Sequence, residues 1–185
     1  MKKENLKLKE KYNTEVKSVL VKEFEIKNVM ATPKVTKVVV NMGTKDLLKD
    51  KGERELLLNE LGAITGQRPQ IKQAKQSIAG FGIREGNSVA LSVTLRGQKM
   101  FDFLQRFVSI VLPRVRDFRG IGLKSFDDHG NYTIGMVDYS VFPEIDVTKI
   151  RGVRGLEITI VTSTKSKEEA KRLLELLGMP FAKEN

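Results

Sequence analysis

Residues 88–111 read SVALSVTLRGQKMFDFLQRFVSIV and change their hydrophobic period half-way along. Val89, Leu91, Val93 and Leu95 alternate with small or polar neighbours, the two-residue period of a strand with one buried face. From Gln98 onward Met100, Phe101, Leu104, Phe107, Val108 and Val111 recur every three or four residues, which predicts a helix ended by Pro113. The same two signals recur outward in both directions, without strict alternation. KVTKVVVN (34–41) is a β-branched strand and LEITIVTS (156–163) an alternating one, with shorter strands expected over 70–75, 132–137 and near Val141. Tyr12, Val16, Val19, Leu20 and Phe24 predict a helix over 4–25; Leu47, Leu48, Leu56, Leu57, Leu58 and Leu61 predict a second, with Gly62 at its close. Ser166 and Glu169 stand at capping-box spacing and open a helix that buries Ala170, Leu173, Leu174 and Leu177 before Gly178 and Pro180 stop it. The expected fold is α+β: one domain over 1–185, a largely antiparallel sheet of about five strands with helices packed on one face.

The 185 residues include 33 Lys and Arg against 23 Asp and Glu, a formal charge of +10. The excess is concentrated. Residues 67–124 carry eleven basic and three acidic side chains, whereas 125–185 carry eight basic and ten acidic. A focused basic face attracts polyanions; a soluble protein of high pI without such a partner is the alternative. A chain of this length buries roughly 70% of its unfolded surface, so it needs no disulfide or metal to fold. The absence of Cys excludes thiol nucleophiles, disulfides and thiolate metal sites, and a single His129 excludes multi-His sites. The opening MKKENLKLKEKYN has no apolar run, and no stretch approaches the roughly 20 apolar residues of a membrane span. An intracellular protein without membrane partner, metal or cofactor is expected.

SIAGFGIREGN (77–87) has three glycines and no period, so it is expected to be a long loop at a hairpin tip. Its glycines do not match the dinucleotide G-x-G-x-x-G spacing, and a strand follows where a helix is needed. Phe81 either folds back into the body or stands out beside Arg84, where an aromatic stacks on bases and an arginine pairs with phosphate. Asn41, Gln67 and Thr94 are polar residues among apolar or basic neighbours, able to read base edges and 2′-hydroxyls or to shape turns locally. Arg114, Arg116 and Arg119 follow a helix end, opposed only by Asp117, which suits phosphate or an acidic surface better than capping alone. Asp127, Asp128 and His129 are adjacent, as in a turn, and no catalytic constellation forms around them. An enzyme acting on a phosphorylated small molecule, or an RNA chaperone, would share the basic face.

Nine stretches are jointly informative: VVVNMG (38–43), ITGQRPQ (64–70), SIAGFGIREG (77–86), VTLRG (93–97), PRVRDFRG (113–120), KSFD (124–127), GNYTIG (130–135), FPEID (142–146) and VRGLEITI (153–160). In this order they resemble the bacterial large-subunit ribosomal protein of the 5S rRNA-binding family, over essentially the whole chain. The resemblance implies a non-enzymatic, cytoplasmic protein docked in the central protuberance of the ribosome. Its implied partners are 5S rRNA, 23S rRNA, P-site tRNA, a small-subunit head ribosomal protein and other central-protuberance proteins. By motif, Asn41, Gln67 and Thr94 match 5S rRNA contacts, with Arg68 and Arg96 beside them. Ser77, Gly80, Phe81, Gly82, Ile83 and Arg84 match the tRNA-facing loop. Arg114, Arg116 and Arg119 lie in the region of inter-subunit bridge or rRNA contact, with FPEID near the bridge. Two positions depart from the pattern: Gly82 and Ser92 stand where relatives commonly carry lysine. Both remove positive charge, so the contacts there are expected either to be weaker or to fall to Arg84 and backbone groups.

The basic 67–124 segment generates an expectation independent of any structure. Each phosphate neutralised steepens the log–log dependence of affinity on salt by roughly 0.9. Titration of RNA against this protein at several salt concentrations is expected to show a steep loss of affinity; a flat profile would exclude that segment as the contact face.

Overall fold

The computed structural model of the chain describes residues 7–44, 50–116, 118–146, 148 and 152–182. Five strands form one sheet in the order β2-β3-β1-β5-β4. They are β1 (Val35–Gly43), β2 (Gln70–Gln73), β3 (Ser88–Leu95), β4 (Tyr132–Met136) and β5 (Leu156–Thr162). Among the described residues four helices of more than one turn accompany them, and the fold is α+β as the mixed periods predict. β2 and β3 are antiparallel, pairing Gln70 with Ser92, Ile71 with Leu91 and Lys72 with Ala90 before the register shifts at Gln73. The described residues gather into two compact units. One holds those up to Val38, from Arg96 to Ile134 and from Thr159 on; the other holds Val39 to Leu95 and Gly135 to Ile158.

In the first unit, α1 runs through Leu8–Lys11, a π turn Tyr12–Val16 and Lys17–Glu23. Leu8, Tyr12, Val16 and Leu20 are its buried stripe, whereas Val19 is exposed and Phe24 lies half-buried just past the helix end; residues 4–6 of the expected helix lie outside the described residues. Helix α3 runs through Gly97–Arg106, a second π turn Phe107–Val111 and Leu112–Arg114. It therefore passes Pro113 by one residue. Proline sits in a first helical turn, where its missing N–H and fixed φ do least harm, and here it opens the turn after the π segment. Tyr12 and Phe101 have ring centroids 6.5 Å apart, and the Leu8 amide donates to Gln105 Oε1 at 3.3 Å, which ties α1 to α3.

Helix α4, Lys167–Leu176, begins as its capping box predicts, but with one arm rerouted. Ser166 Oγ accepts from the Glu169 amide at 3.4 Å, whereas the Glu169 carboxylate takes the Thr164 hydroxyl and Thr164 Oγ1 accepts from the Ser166 amide. Tyr132, Phe126 and Phe181 form an aromatic cluster, with Tyr132 and Phe181 edge to face at 5.4 Å.

In the second unit, α2 spans Lys51–Thr65. Asp50 accepts from the Gly52 amide at 3.2 Å as N-cap, so the helix starts there; Leu47 and Leu48 lie outside the described residues. Its end is Gly66 rather than Gly62. Gly66 takes the left-handed conformation, φ +67°, and donates to the Gly62 carbonyl at 2.8 Å. Gly62 stays helical, and a Cβ there would lie 3.7 Å from the Pro69 ring. The strand expected near Val141 is a 3₁₀ turn, Tyr139–Val141, with Asp138 Oδ1 accepting from the Ser140 amide at 2.8 Å. An Asp with a free N–H two residues on makes a turn more readily than a strand.

Tyr139 is fully buried, and its hydroxyl donates to Glu60 Oε2 at 2.9 Å. Burial first, and the Glu60 carboxylate second, push this phenol from 10.0 up to about 12. Ionisation thus favours the unfolded chain. The contribution is fully present below about pH 10 and is lost as pH rises towards about 12. Tyr139→Phe is expected to cost roughly 1.5–3 kcal/mol at neutral pH, as for a hydrogen bond to a charged acceptor. It is also expected to make the alkaline loss of stability shallower, though not flat, because burial likewise raises Tyr132 to about 12. Urea midpoints measured from neutral to strongly alkaline pH check both effects.

Candidate nucleic-acid interface

Within the second unit the strand residues sort by face. Val40 and Met42 of β1, Leu91, Val93 and Leu95 of β3, and Leu156 and Ile158 of β5 are buried. Asn41 and Ser92 between them are half-buried, and Thr94 and Glu157 are exposed. β3, β1 and β5 are successive neighbours in the sheet, so these four polar side chains occupy three adjoining strands. Period-two alternation is the cause: once the apolar residues have taken one face, the intervening ones have the other.

Two local contacts organise this polar side. Asn41 Nδ2 donates to Glu157 Oε2 at 3.4 Å, and Gln67 Nε2 donates to the Thr94 carbonyl at 3.2 Å. The structure therefore unites Gln67 with Thr94 and joins Asn41 to a residue that the sequence motifs did not single out. Glu157 was legible in principle, as the outward-facing position between Leu156 and Ile158. Towards the β2 edge Lys72 Nζ donates to Gln70 Oε1 at 2.7 Å. Arg68 is exposed and lines an open groove of about 690 Å³ with Glu55, Leu58, Asn59, Gly62 and Ala63 of α2. Arg96 is exposed at the N-cap of α3 and belongs to the first unit.

The segment joining β2 to β3 is more ordered than an irregular loop. Ala74 and Asn87 pair across its base at 2.8 Å. Further out Ile78 and Ile83 form an antiparallel bridge, closed by amide-to-carbonyl bonds of 2.8 and 3.2 Å. Ser77 Oγ accepts from the Glu85 amide at 2.9 Å, and Ala79–Phe81 is a 3₁₀ turn. Gly82 closes that turn at φ +65°, a conformation costly for a side-chain-bearing residue. Phe81 is 78% exposed and Ile78 48%, which settles the two alternatives for Phe81 in favour of solvent. A Cβ at Gly80, Gly82 or Gly86 would meet nothing within 4 Å, so the tip stands clear of the body. Arg84 is exposed there, and its side chain has no partner among the described residues.

On the first unit Arg114, Arg116 and Arg119 are all exposed, with no ion pair or helix-capping bond among the described residues. Asp117, their expected counter-charge, lies outside the described residues. Asp127 makes a turn: its Oδ1 accepts from the amides of His129 and Asn131 at 2.9 and 2.7 Å, while Asp128 pairs with Lys167 at 2.8 Å.

Residues 28–84 match the family model of ribosomal protein L5, and residues 88–181 match the model of that ribosomal family's C-terminus. The chain belongs to the ribosomal protein L5 family. It is 51% identical over 177 residues to the large ribosomal subunit protein uL5 of Limosilactobacillus fermentum, covering 96% of this chain and 98% of that protein. The uL5 of Carboxydothermus hydrogenoformans is 48% identical, covering 96% and 99%. Membership of this family makes the chain a structural component of the ribosome and not an enzyme. Among the described residues no helix is long and apolar enough to cross a membrane.

Proposed function

We propose that this chain is a large-subunit protein that binds 5S rRNA through the polar side of its second unit and helps to attach it to 23S rRNA. The observation that carries this is the clustering of Asn41, Gln67 and Thr94 on adjoining elements, with Glu157 and the Thr94 carbonyl holding the two half-buried amides and Thr94 exposed. Amides and hydroxyls on an open sheet face suit the wide, shallow minor groove of A-form RNA, where 2′-hydroxyls and base edges are displayed. Arg68 and Arg96 supply phosphate contacts. The tip around Phe81 and Arg84 touches P-site tRNA, by stacking and a single charge pair. Arg114, Arg116 and Arg119 serve the inter-subunit bridge to a small-subunit head protein or neighbouring rRNA, close to other central-protuberance proteins.

Replacing Asn41, Gln67 and Thr94 together by alanine leaves the buried core untouched and removes the hydrogen-bonding groups. Each interfacial bond is worth on the order of 1–3 kcal/mol, so 5S rRNA affinity is expected to fall at least tenfold. Retention of affinity within about twofold by a folded triple variant would move the interface elsewhere. Arg84→Ala is expected to leave 5S rRNA in the particle and to speed tRNA dissociation from purified ribosomes severalfold at most. A lone exposed charge pair contributes only about 1 kcal/mol. Loss of 5S rRNA from particles carrying the variant would assign the tip a different task.

A further inference from the structure

Both amides on the polar side present their NH₂ groups to acceptors, Asn41 at 3.4 Å and Gln67 at 3.2 Å. A carboxylate and a backbone carbonyl only accept hydrogen bonds. The atom of Asn41 that faces Glu157 is therefore its Nδ2, and the atom of Gln67 that faces the Thr94 carbonyl is its Nε2. The carbonyl ends, Asn41 Oδ1 and Gln67 Oε1, accept no bond from the described residues, and neither is a buried orphan. They are the ends left to solvent. Glu157 adds an exposed carboxylate beside them. This patch of an otherwise basic protein is thus rich in acceptors and carries a negative charge, so a phosphate does not settle on it. Polarity reverses at the β2 edge, where Lys72 occupies the Gln70 carbonyl and turns that amide's NH₂ outward.

Resting on the 5S rRNA function proposed above, we infer that Glu157 is a positioning residue that sets the hydrogen-bond polarity of the interface. It holds Asn41 with the carbonyl outward, so that the centre of the patch takes donor groups of RNA: 2′-hydroxyls and the amino and imino N–H groups of base edges. Phosphates are left to the lysines and arginines around it. The 2′-hydroxyl is the donor that DNA lacks, so the same arrangement discriminates RNA from DNA of equal charge.

Glu157→Lys separates this from a purely electrostatic account. It raises the net charge by two, which on charge alone tightens RNA binding. A lysine has only donors, however, so Asn41 must swing its carbonyl inward and present Nδ2 to a donor in the RNA. Full-length protein is titrated with a 5S rRNA transcript, with tRNA and with a DNA strand of the 5S sequence at one salt concentration, with thermal unfolding confirming that each variant folds. Glu157→Lys is expected to bind 5S rRNA about tenfold more weakly than wild type, the scale of one reversed interfacial hydrogen bond. Its binding to DNA is expected to be unchanged or tighter. Glu157→Gln, which keeps an acceptor for Asn41, is expected to stay within about threefold of wild type on 5S rRNA. Equal or tighter 5S rRNA binding by Glu157→Lys overturns the inference, as does a loss in Glu157→Gln as large as in Glu157→Lys. Wild-type protein that does not prefer 5S rRNA to tRNA overturns the proposed function itself, which the variants alone cannot do.

Discussion

A β-strand has two faces, and the strands of this chain give most of their apolar side chains to one. That constraint governs the rest. Along β1, Val38, Val40 and Met42 are fully buried, and along β5 Leu156, Ile158 and Ile160 are buried or nearly so. Every residue between them is forced to the other side by the pleat alone. A one-residue slip would exchange the two sets and drive Asn41 and Glu157 into the core, at a cost of several buried polar groups. The burial that stabilises the sheet is therefore the same force that displays its polar row, and neither can be altered without the other.

Most of the architecture was legible because its signals are local and periodic. Strands β1, β3 and β5 and the helices at α1, α3 and α4 follow from spacing that the folded state obeys. What misled were single residues with two uses. Gly62 looks like a helix stop, yet Gly66, four residues on, takes the positive φ that ends the helix, and Gly62 stays inside it. Pro113 looks like a breaker, yet after a π turn it begins a new helical turn. Val141 sits in an apolar context that suggests a strand, but Asp138 captures the Ser140 amide first.

The polar side of the second unit was legible in part. Asn41, Gln67 and Thr94 stand out as polar residues in apolar surroundings, and the family motifs pick out the same three. Their pairing is not legible, because Asn41 and Glu157 are separated by more than a hundred residues and meet only through the β1–β5 adjacency. Motif reasoning also favours cations when a polyanion is the expected partner, so it passes over a carboxylate. Charge gives reach and speed of association; the pattern of donors and acceptors gives discrimination.

The tip between β2 and β3 has a consequence for kinetics. Its internal ladder, Ala74 with Asn87 and Ile78 with Ile83, gives the segment backbone bonds of its own. A segment that must fold around its ligand loses entropy at every encounter and regains it at every release, which couples residence time to local folding. A tip that keeps its own bonds is less subject to that coupling. On the proposed function, its grip rests on its few exposed groups, Phe81 and Arg84 chief among them. Such a surface is suited to a ligand that arrives and departs on every working cycle, whereas the sheet face, with several rigidly oriented groups, is suited to one that stays.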